Sequence, residues 1–150
     1  MPKVLIVFHT LSGNTKAAAD AVAEGAKEMP GVDVVVKAGL AAGTDDLLSC
    51  DAVALGTPDF FSYMAGGLKD FFDRTYYPTQ DRVNDLPCGV FVTHGGGGRA
   101  VDSVVQMVKS FKMRMDADPV LVKGAPTESD KGFLRALGRK LAESSLGNAN

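Results

Sequence analysis

The sequence has few residues of the kind that build metal and disulfide sites. It contains two histidines and two cysteines among 150 residues. Cys50 and Cys88 are far apart, and neither lies at ligand spacing from a histidine, which argues against a zinc knuckle and a redox Cys-x-x-Cys motif. We therefore expect two buried free thiols and no metal site.

The sequence also lacks a strong charge of either sign and a long apolar run. Lys plus Arg number 16 and Asp plus Glu 18, a formal net charge of −2, so the basic surface typical of nucleic-acid binders is missing. The apolar run at residues 4–8 is far shorter than the roughly 18 residues of a membrane span. Residues 1–3 do not resemble a secretory signal. We expect a cytoplasmic protein with neither a nucleic-acid nor a membrane partner.

Short β-branched runs alternate with stretches of helical periodicity along the chain. Each predicted strand is apolar on both faces, so the sheet has to be covered by helices on both faces. This predicts a single α/β domain over residues 1–150 with a five-stranded parallel sheet. The predicted strands are 3–8, 32–37, 51–56, 89–93 and 119–122, and the predicted helices are 14–28, 45–49, 67–76, 99–115 and 128–143.

A polar loop follows the first predicted strand, at the edge where parallel sheets bind ligands. It consists of Thr10, Leu11, Ser12, Gly13, Asn14 and Thr15. The loop brings hydroxyl and amide groups to the start of a predicted helix, where backbone N–H groups are free. It contains no acidic residue, so this donor set favours a phosphate site. The alternative is an ordinary helix cap rich in Ser, Thr and Asn.

Other phosphate chemistries lack their residues in this loop. A P-loop requires Gly-x-x-x-x-Gly-Lys-Ser/Thr, and a small tyrosine phosphatase requires a cysteine. A response-regulator receiver requires an acidic residue where this chain has His9 and Thr10. Binding would instead depend on hydrogen bonds and the helix dipole.

Two further loops follow the third and fourth predicted strands. The first contains Phe60, Phe61 and Tyr63, which favours an aromatic wall for a flat ligand. The alternative is a loop whose rings enter the core, and we expect this of at least one of the two phenylalanines. The second continues from His94 into four glycines, residues 95–98, whose backbone can approach a ligand closely.

At these loops the sequence resembles the flavodoxin superfamily. Residues 10–15 match its FMN phosphate loop, Thr/Ser-x-Thr/Ser-Gly-Asn-Thr. Residues 56–75 are similar to the FMN-dependent NAD(P)H:quinone oxidoreductases of the tryptophan-repressor-binding-protein type, with Gly-Thr-Pro-x-x-Phe-Gly-x-Met-x-Gly-x-x-Lys-x-Phe-x-Asp-x-Thr. Ser62 replaces a glycine of that pattern, Phe60 stands where an arginine is frequent, and the longer chain of those enzymes is missing here.

The resemblance implies a flavodoxin-like fold with strand order 2-1-3-4-5 and FMN as cofactor. The phosphate would bind Thr10, Ser12, Gly13, Asn14 and Thr15, with Leu11 in the same loop. The ring would lie between Pro58, Asp59, Phe60, Phe61, Ser62 and Tyr63 on one side and Thr93, His94, Gly95 and Gly96 on the other.

The implied activity is hydride transfer from NAD(P)H through FMN to a quinone or similar small acceptor. The alternative is a flavodoxin-type one-electron carrier with a redox partner protein. Flavodoxins carry a more acidic surface and commonly a glycine beside the flavin, where a peptide flip stabilises the one-electron state. Residues 58–64 contain no glycine, which favours two-electron chemistry. A third interpretation is an interaction module that has lost FMN.

No catalytic acid or base is assigned from the sequence. His94 and Tyr63 are the candidates for protonating a reduced acceptor, ahead of Asp59, which is charged at neutral pH unless buried. The related quinone reductases form dimers and tetramers, so a homo-oligomer is also considered.

Overall fold

The computed structural model describes residues 1–148, so the last two residues of the expected domain lie outside the described residues. Strands and helices alternate along the chain. The strands are β1 (Lys3–Phe8), β2 (Asp33–Ala38), β3 (Ala52–Phe60), β4 (Tyr63–Met64), β5 (Pro87–His94), β6 (Arg114–Met115) and β7 (Val120–Lys123). The helices are α1 (Asn14–Lys27), α2 (Thr44–Ser49), α3 (Gly66–Thr79), α4 (Ala100–Ser110) and α5 (Glu128–Asn148).

The sheet has the parallel order predicted from the resemblance. Its strands follow each other as β2, β1, β3 and β5, and β6 and β7 share the next position. Arg114 of β6 lies beside Pro87 at the start of β5, and Lys123 of β7 lies beside His94 at its end. The order 2-1-3-4-5 is therefore confirmed. The structure adds two strands of two residues, β6 and the antiparallel β4.

Alternate residues of the central strands pack into two separate hydrophobic cores. Val4 and Ile6 of β1 lie in the core formed with α1 and α5. Leu5 and Val7 lie in the core formed with α2, α3 and α4. The expectation that helices cover both faces is thus confirmed, and the carboxyl ends of the strands remain as the edge at which loops form a site.

The predicted helix 99–115 is wrong at its C-terminal end, because α4 stops at Ser110. Lys112 adopts a left-handed φ of 61°, and the N–H of Met113 donates to the carbonyl of Val108 at 3.0 Å. This is the Schellman arrangement that usually has glycine at the left-handed position. With lysine there instead, the stop signal is hidden and the helical periodicity continues past the true end.

Helices α1 and α5 pack unusually close together. A Cβ atom at Gly25 would lie 1.9 Å from the carbonyl oxygen of Arg135, and one at Gly138 would lie 1.9 Å from that of Val22. Both distances are far below van der Waals contact, so each helix needs glycine at the crossing.

Both cysteine thiols are free and buried, as expected. Burial raises the pKa of Cys50 to about 12 and also raises the pKa of Cys88, so both remain protonated at neutral pH. Within residues 1–148 there is no helix of the length and apolarity needed to cross a membrane. The same residues contain no group of three or more His, Cys, Asp and Glu side chains arranged for a metal ion.

Candidate functional site

Three loops meet at the carboxyl ends of the central strands. Phe8 at the end of β1 lies beside Gly56 of β3, and Pro58 of β3 lies beside Thr93 of β5. Strands β2 and β3 flank β1 on opposite sides, so the winding direction reverses there. This is the position at which parallel α/β sheets bind ligands, and it brings the three predicted segments together.

The loop after β1 turns directly into α1 through Gly13. This residue has a φ of 99°, which a side chain would strain. Its N–H donates to the Thr10 Oγ at 3.1 Å, and its carbonyl accepts from the N–H of Ala17 at 3.0 Å. The first turn of α1 contains no acidic residue. The loop is therefore held in a fixed shape by its own hydrogen bonds.

The donor groups of this loop fit a phosphate. Within residues 1–148, no protein acceptor pairs with the N–H groups of Ser12, Asn14 or Thr15. Leu11 and Ser12 are exposed and Asn14 is half-buried. Free N–H groups at a helix N-terminus, together with hydroxyl and amide groups, form the donor set that binds phosphate anions.

The side chain of Thr15 has a second contact that the sequence did not indicate. Its hydroxyl is hydrogen bonded to the Thr93 hydroxyl at 2.8 Å, and both residues are buried. The bond joins the start of α1 to the end of β5. It thereby fixes the phosphate loop against the strand that leads into the glycine loop.

We expect Thr93→Val to lower the free energy of unfolding by about 1–3 kcal/mol, because the Thr15 hydroxyl stays buried without its partner. Urea unfolding of the FMN-free protein measures this loss. The double variant Thr15→Val with Thr93→Val removes both polar groups and should recover much of the stability. If the double variant loses as much unfolding free energy as Thr15→Val and Thr93→Val lose together, the hydrogen bond between the two hydroxyls does not explain the loss.

The loop after β3 is a tight hairpin rather than an irregular segment. Strand β3 continues to Phe60, which pairs with Tyr63 of the antiparallel strand β4. Phe61 and Ser62 form the turn with φ values of 58° and 62°, as in a type I′ turn. Left-handed backbone costs residues other than glycine about 1–2 kcal/mol each, so other contacts have to stabilise this turn.

The aromatic residues of the hairpin face the surface. Phe61 is fully exposed and Tyr63 is 45% exposed. Phe60 is half-buried, with its ring edge-on to His9 at a centroid distance of 6.4 Å. The expectation that at least one phenylalanine enters the core is wrong. Phe61 lies in the exposed turn, and the half-buried ring of Phe60 packs against His9 outside the core.

Two residues of α4 join the site without having been predicted. The N–H of Ala100 donates to the Asp59 Oδ2 at 3.3 Å, and the N–H of Met64 donates to the Ser103 Oγ at 3.0 Å. The other oxygen of Asp59 accepts from the N–H of Ser62 at 2.8 Å. No local sequence pattern identifies Ser103, because its partner is 39 residues away.

The glycine loop after β5 packs against the ring of His94 through Gly98. Gly97 and Gly98 have positive φ values of 99° and 67°, and a Cβ at Gly98 would lie 3.1 Å from the Cδ2 of His94. The Nδ1 of His94 is buried and has no hydrogen-bond partner in the described part of the chain. Gly95 and Gly96 have open space beside them, which suits close approach of a ligand to the backbone.

Sequence relatives identify the family. A model of the NADPH-dependent FMN reductase family matches residues 35–125. The flavodoxin of Aquifex aeolicus (strain VF5) is 31% identical to this chain, over 95% of the chain and 86% of that protein. An NAD(P)H dehydrogenase (quinone) of Acidithiobacillus ferrooxidans is 32% identical, over 64% of this chain and 60% of its own length.

Solved structures agree with the sequence relatives. A flavodoxin from the domain Archaea superimposes with a TM-score of 0.87 at 28% identity, over 96% of this chain and 99% of that one. A WrbA-like flavodoxin from Agrobacterium tumefaciens superimposes with a TM-score of 0.83 at 20% identity, over 99% of both chains, which supports the fold. This chain belongs to the flavodoxin-like superfamily and, within it, to the NADPH-dependent FMN reductase family. The FMN cofactor that the resemblance implies is confirmed by this assignment.

Proposed function

We propose that the protein is an FMN-dependent oxidoreductase that takes a hydride from NAD(P)H and passes the two electrons to a quinone or a similar small acceptor. The family model supports the nicotinamide donor, since that family is described as NADPH-dependent. The quinone dehydrogenase of Acidithiobacillus ferrooxidans supports a quinone-like acceptor.

The phosphate loop would anchor the cofactor. Hydroxyls of Thr10 and Ser12, the Asn14 amide and the N–H groups at the start of α1 would bind the phosphate. Thr15 would contribute its N–H, because its hydroxyl is engaged with Thr93. Bound FMN supplies the hydride-accepting ring, and the protein supplies its position and surroundings.

The main structural support for this proposal is the rigid hairpin after β3. Its turn contains Phe61 and Ser62 instead of glycine, and its backbone is hydrogen bonded to α4 through Asp59 and Ser103. Such a turn resists rearrangement between redox states. It would give the ring constant surroundings, and hydride transfer depends on a fixed alignment of donor and acceptor.

A quinone takes up two electrons and two protons to become a hydroquinone, and a hydride provides only one of these protons. Solvent or a side chain has to provide the other. Tyr63 is partly exposed on the hairpin, and His94 is half-buried with its Nδ1 enclosed by the protein. Both side chains therefore stay candidates for this proton, Tyr63 through its hydroxyl and His94 through its Nε2.

An anaerobic titration tests this function. The FMN-loaded protein is mixed with NADH or NADPH while the flavin absorbance is followed, and benzoquinone is then added. Rapid bleaching followed by recovery with quinone is the expected result, and free FMN at the same concentration serves as the control. Bleaching no faster than that of free FMN would overturn the reductase proposal.

The second candidate function is a one-electron carrier. It is favoured by the extent of the sequence match, which covers 86% of the Aquifex flavodoxin but 60% of the quinone dehydrogenase. A carrier would bind FMN tightly, ignore nicotinamides and accumulate a stable radical during dithionite titration. A chain that does not bind FMN would point to an interaction module instead.

A further inference from the structure

One carboxylate connects two of the three loops at the site. Asp59 is half-buried near the end of β3. Its Oδ1 accepts from the N–H of Ser62 in the hairpin turn at 2.8 Å, and its Oδ2 accepts from the N–H of Ala100 at 3.3 Å. Ala100 is the first residue of α4 and follows the glycine loop. Both oxygens are therefore engaged inside the protein rather than directed at a ligand.

A second connection lies next to the first. The N–H of Met64 donates to the Ser103 Oγ at 3.0 Å, and that hydroxyl donates to the carbonyl of Ala100 at 2.7 Å. The two strands of the hairpin are thus each attached to the first turn of α4. We call these connections through Asp59 and Ser103 the hairpin clamp.

The turn needs such a clamp because its residues do not favour its shape. Phe61 and Ser62 both adopt left-handed φ values, which glycine and asparagine adopt more readily in type I′ turns. The bond from the Ser62 N–H to Asp59 fixes the peptide that joins Phe61 to Ser62. It therefore opposes relaxation of the turn to a less strained conformation.

We propose that Asp59 is a positioning residue, whose carboxylate holds the hairpin against α4 and so fixes the two walls of the FMN ring site relative to each other. This inference rests on the proposed function for the location of the ring. In this role Asp59 acts through Phe61 and Tyr63, which the clamp holds in place, and does not itself touch the reacting atoms.

Two variants separate the connections that Asp59 makes. Asp59→Ala removes both, whereas Asp59→Asn keeps one acceptor oxygen and replaces the other by an NH2 group that cannot accept. Asp102→Asn is the matched control, because it also replaces one carboxylate by an amide. Asp102 lies in the first turn of α4 and takes no part in the clamp.

Amide hydrogen exchange of the FMN-free protein tests the clamp itself. In Asp59→Ala the amides of Ser62 and Ala100 should both exchange at least about tenfold faster, the factor expected when a hydrogen bond to a charged group is lost. In Asp59→Asn one of the two should do so. Exchange at both amides should be unchanged in Asp102→Asn. Unaltered exchange in Asp59→Ala would overturn the clamp.

The FMN-loaded protein tests the effect on the ring. We expect Asp59→Ala to release FMN about tenfold faster and to change the visible circular dichroism of the bound flavin, with Asp59→Asn intermediate. A visible circular dichroism spectrum of Asp59→Ala identical to that of the wild type would overturn the positioning role, even if amide hydrogen exchange increased. Failure of the unmodified chain to bind FMN would overturn the proposed function instead, so the two failures are distinguishable.

Discussion

Asn14→Asp is expected to weaken FMN binding by at least about 100-fold. Asn14 is the first residue of α1, among the N–H groups that have no acceptor in the described part of the chain. The substitution removes an amide donor, and a hydrogen bond to a charged group contributes about 1.5–3 kcal/mol. It also places a carboxylate beside the phosphate, and the two negative charges repel each other. Fluorescence titration of the FMN-free protein measures the dissociation constant.

The same substitution should leave folding intact. An acidic residue in the first turn of a helix stabilises it by about 0.3–1 kcal/mol, so the melting temperature of the FMN-free variant should not fall. Asn84→Asp makes the identical change at an exposed position before β5, away from the phosphate loop, and should bind FMN normally. Equal affinity in Asn14→Asp and Asn84→Asp would contradict a phosphate site at the start of α1.

Gly138→Ala is expected to destabilise the fold by about 2 kcal/mol or more. Alanine has a helix propensity about 1 kcal/mol better than glycine, but the added methyl group would lie 1.9 Å from the carbonyl oxygen of Val22. Overpacking of this kind typically costs about 1–3 kcal/mol and sometimes more, so α1 and α5 have to separate. Urea unfolding of the FMN-free protein gives the change in unfolding free energy.

Gly132 provides a control within the same helix. A Cβ at this position would meet nothing within 4 Å, so Gly132→Ala should gain the propensity term of about 0.5–1 kcal/mol. The two identical substitutions are thus expected to have opposite signs. A stability gain in Gly138→Ala would show that the helices have room to move apart at no cost.

Where local signals were strong, the sequence predicted the fold well. The predicted strand 3–8 coincides with β1, and the helix predicted at 14–28 matches α1 to within one residue. The helix predicted to start at 128 begins there as α5, and Thr127 and Asp130 cap it reciprocally, since each backbone N–H donates to the other side chain. In these places the pattern, the cap and the packing all indicate the same element.

The prediction failed where a residue adopts a conformation that its type rarely takes. Lys112 ends α4 in a left-handed conformation, and Phe61 and Ser62 form a tight turn without glycine or asparagine. Tertiary hydrogen bonds impose these shapes, and no local pattern encodes them. For the same reason β4 and β6 were not predicted.

The candidate site shows the same division. The polar loop at residues 10–15 could be predicted as a phosphate site because its residues are contiguous. The bond between Thr15 and Thr93 joins positions 78 residues apart, and the contact of Ser103 with the hairpin is also long-range. Such pairs become neighbours only through the strand order, so a single sequence does not identify them.

The contact between α1 and α5 has a consequence for synthesis on the ribosome. The buried alanines of α1 are covered by α5, which begins only at Glu128. Until that segment has emerged, the nascent chain exposes the apolar surface of α1 and of the sheet that α5 covers in the folded protein, and contacts so distant in sequence form slowly. We expect partly synthesised chains to be prone to aggregation and to need chaperones, with folding completed only after α5 is released.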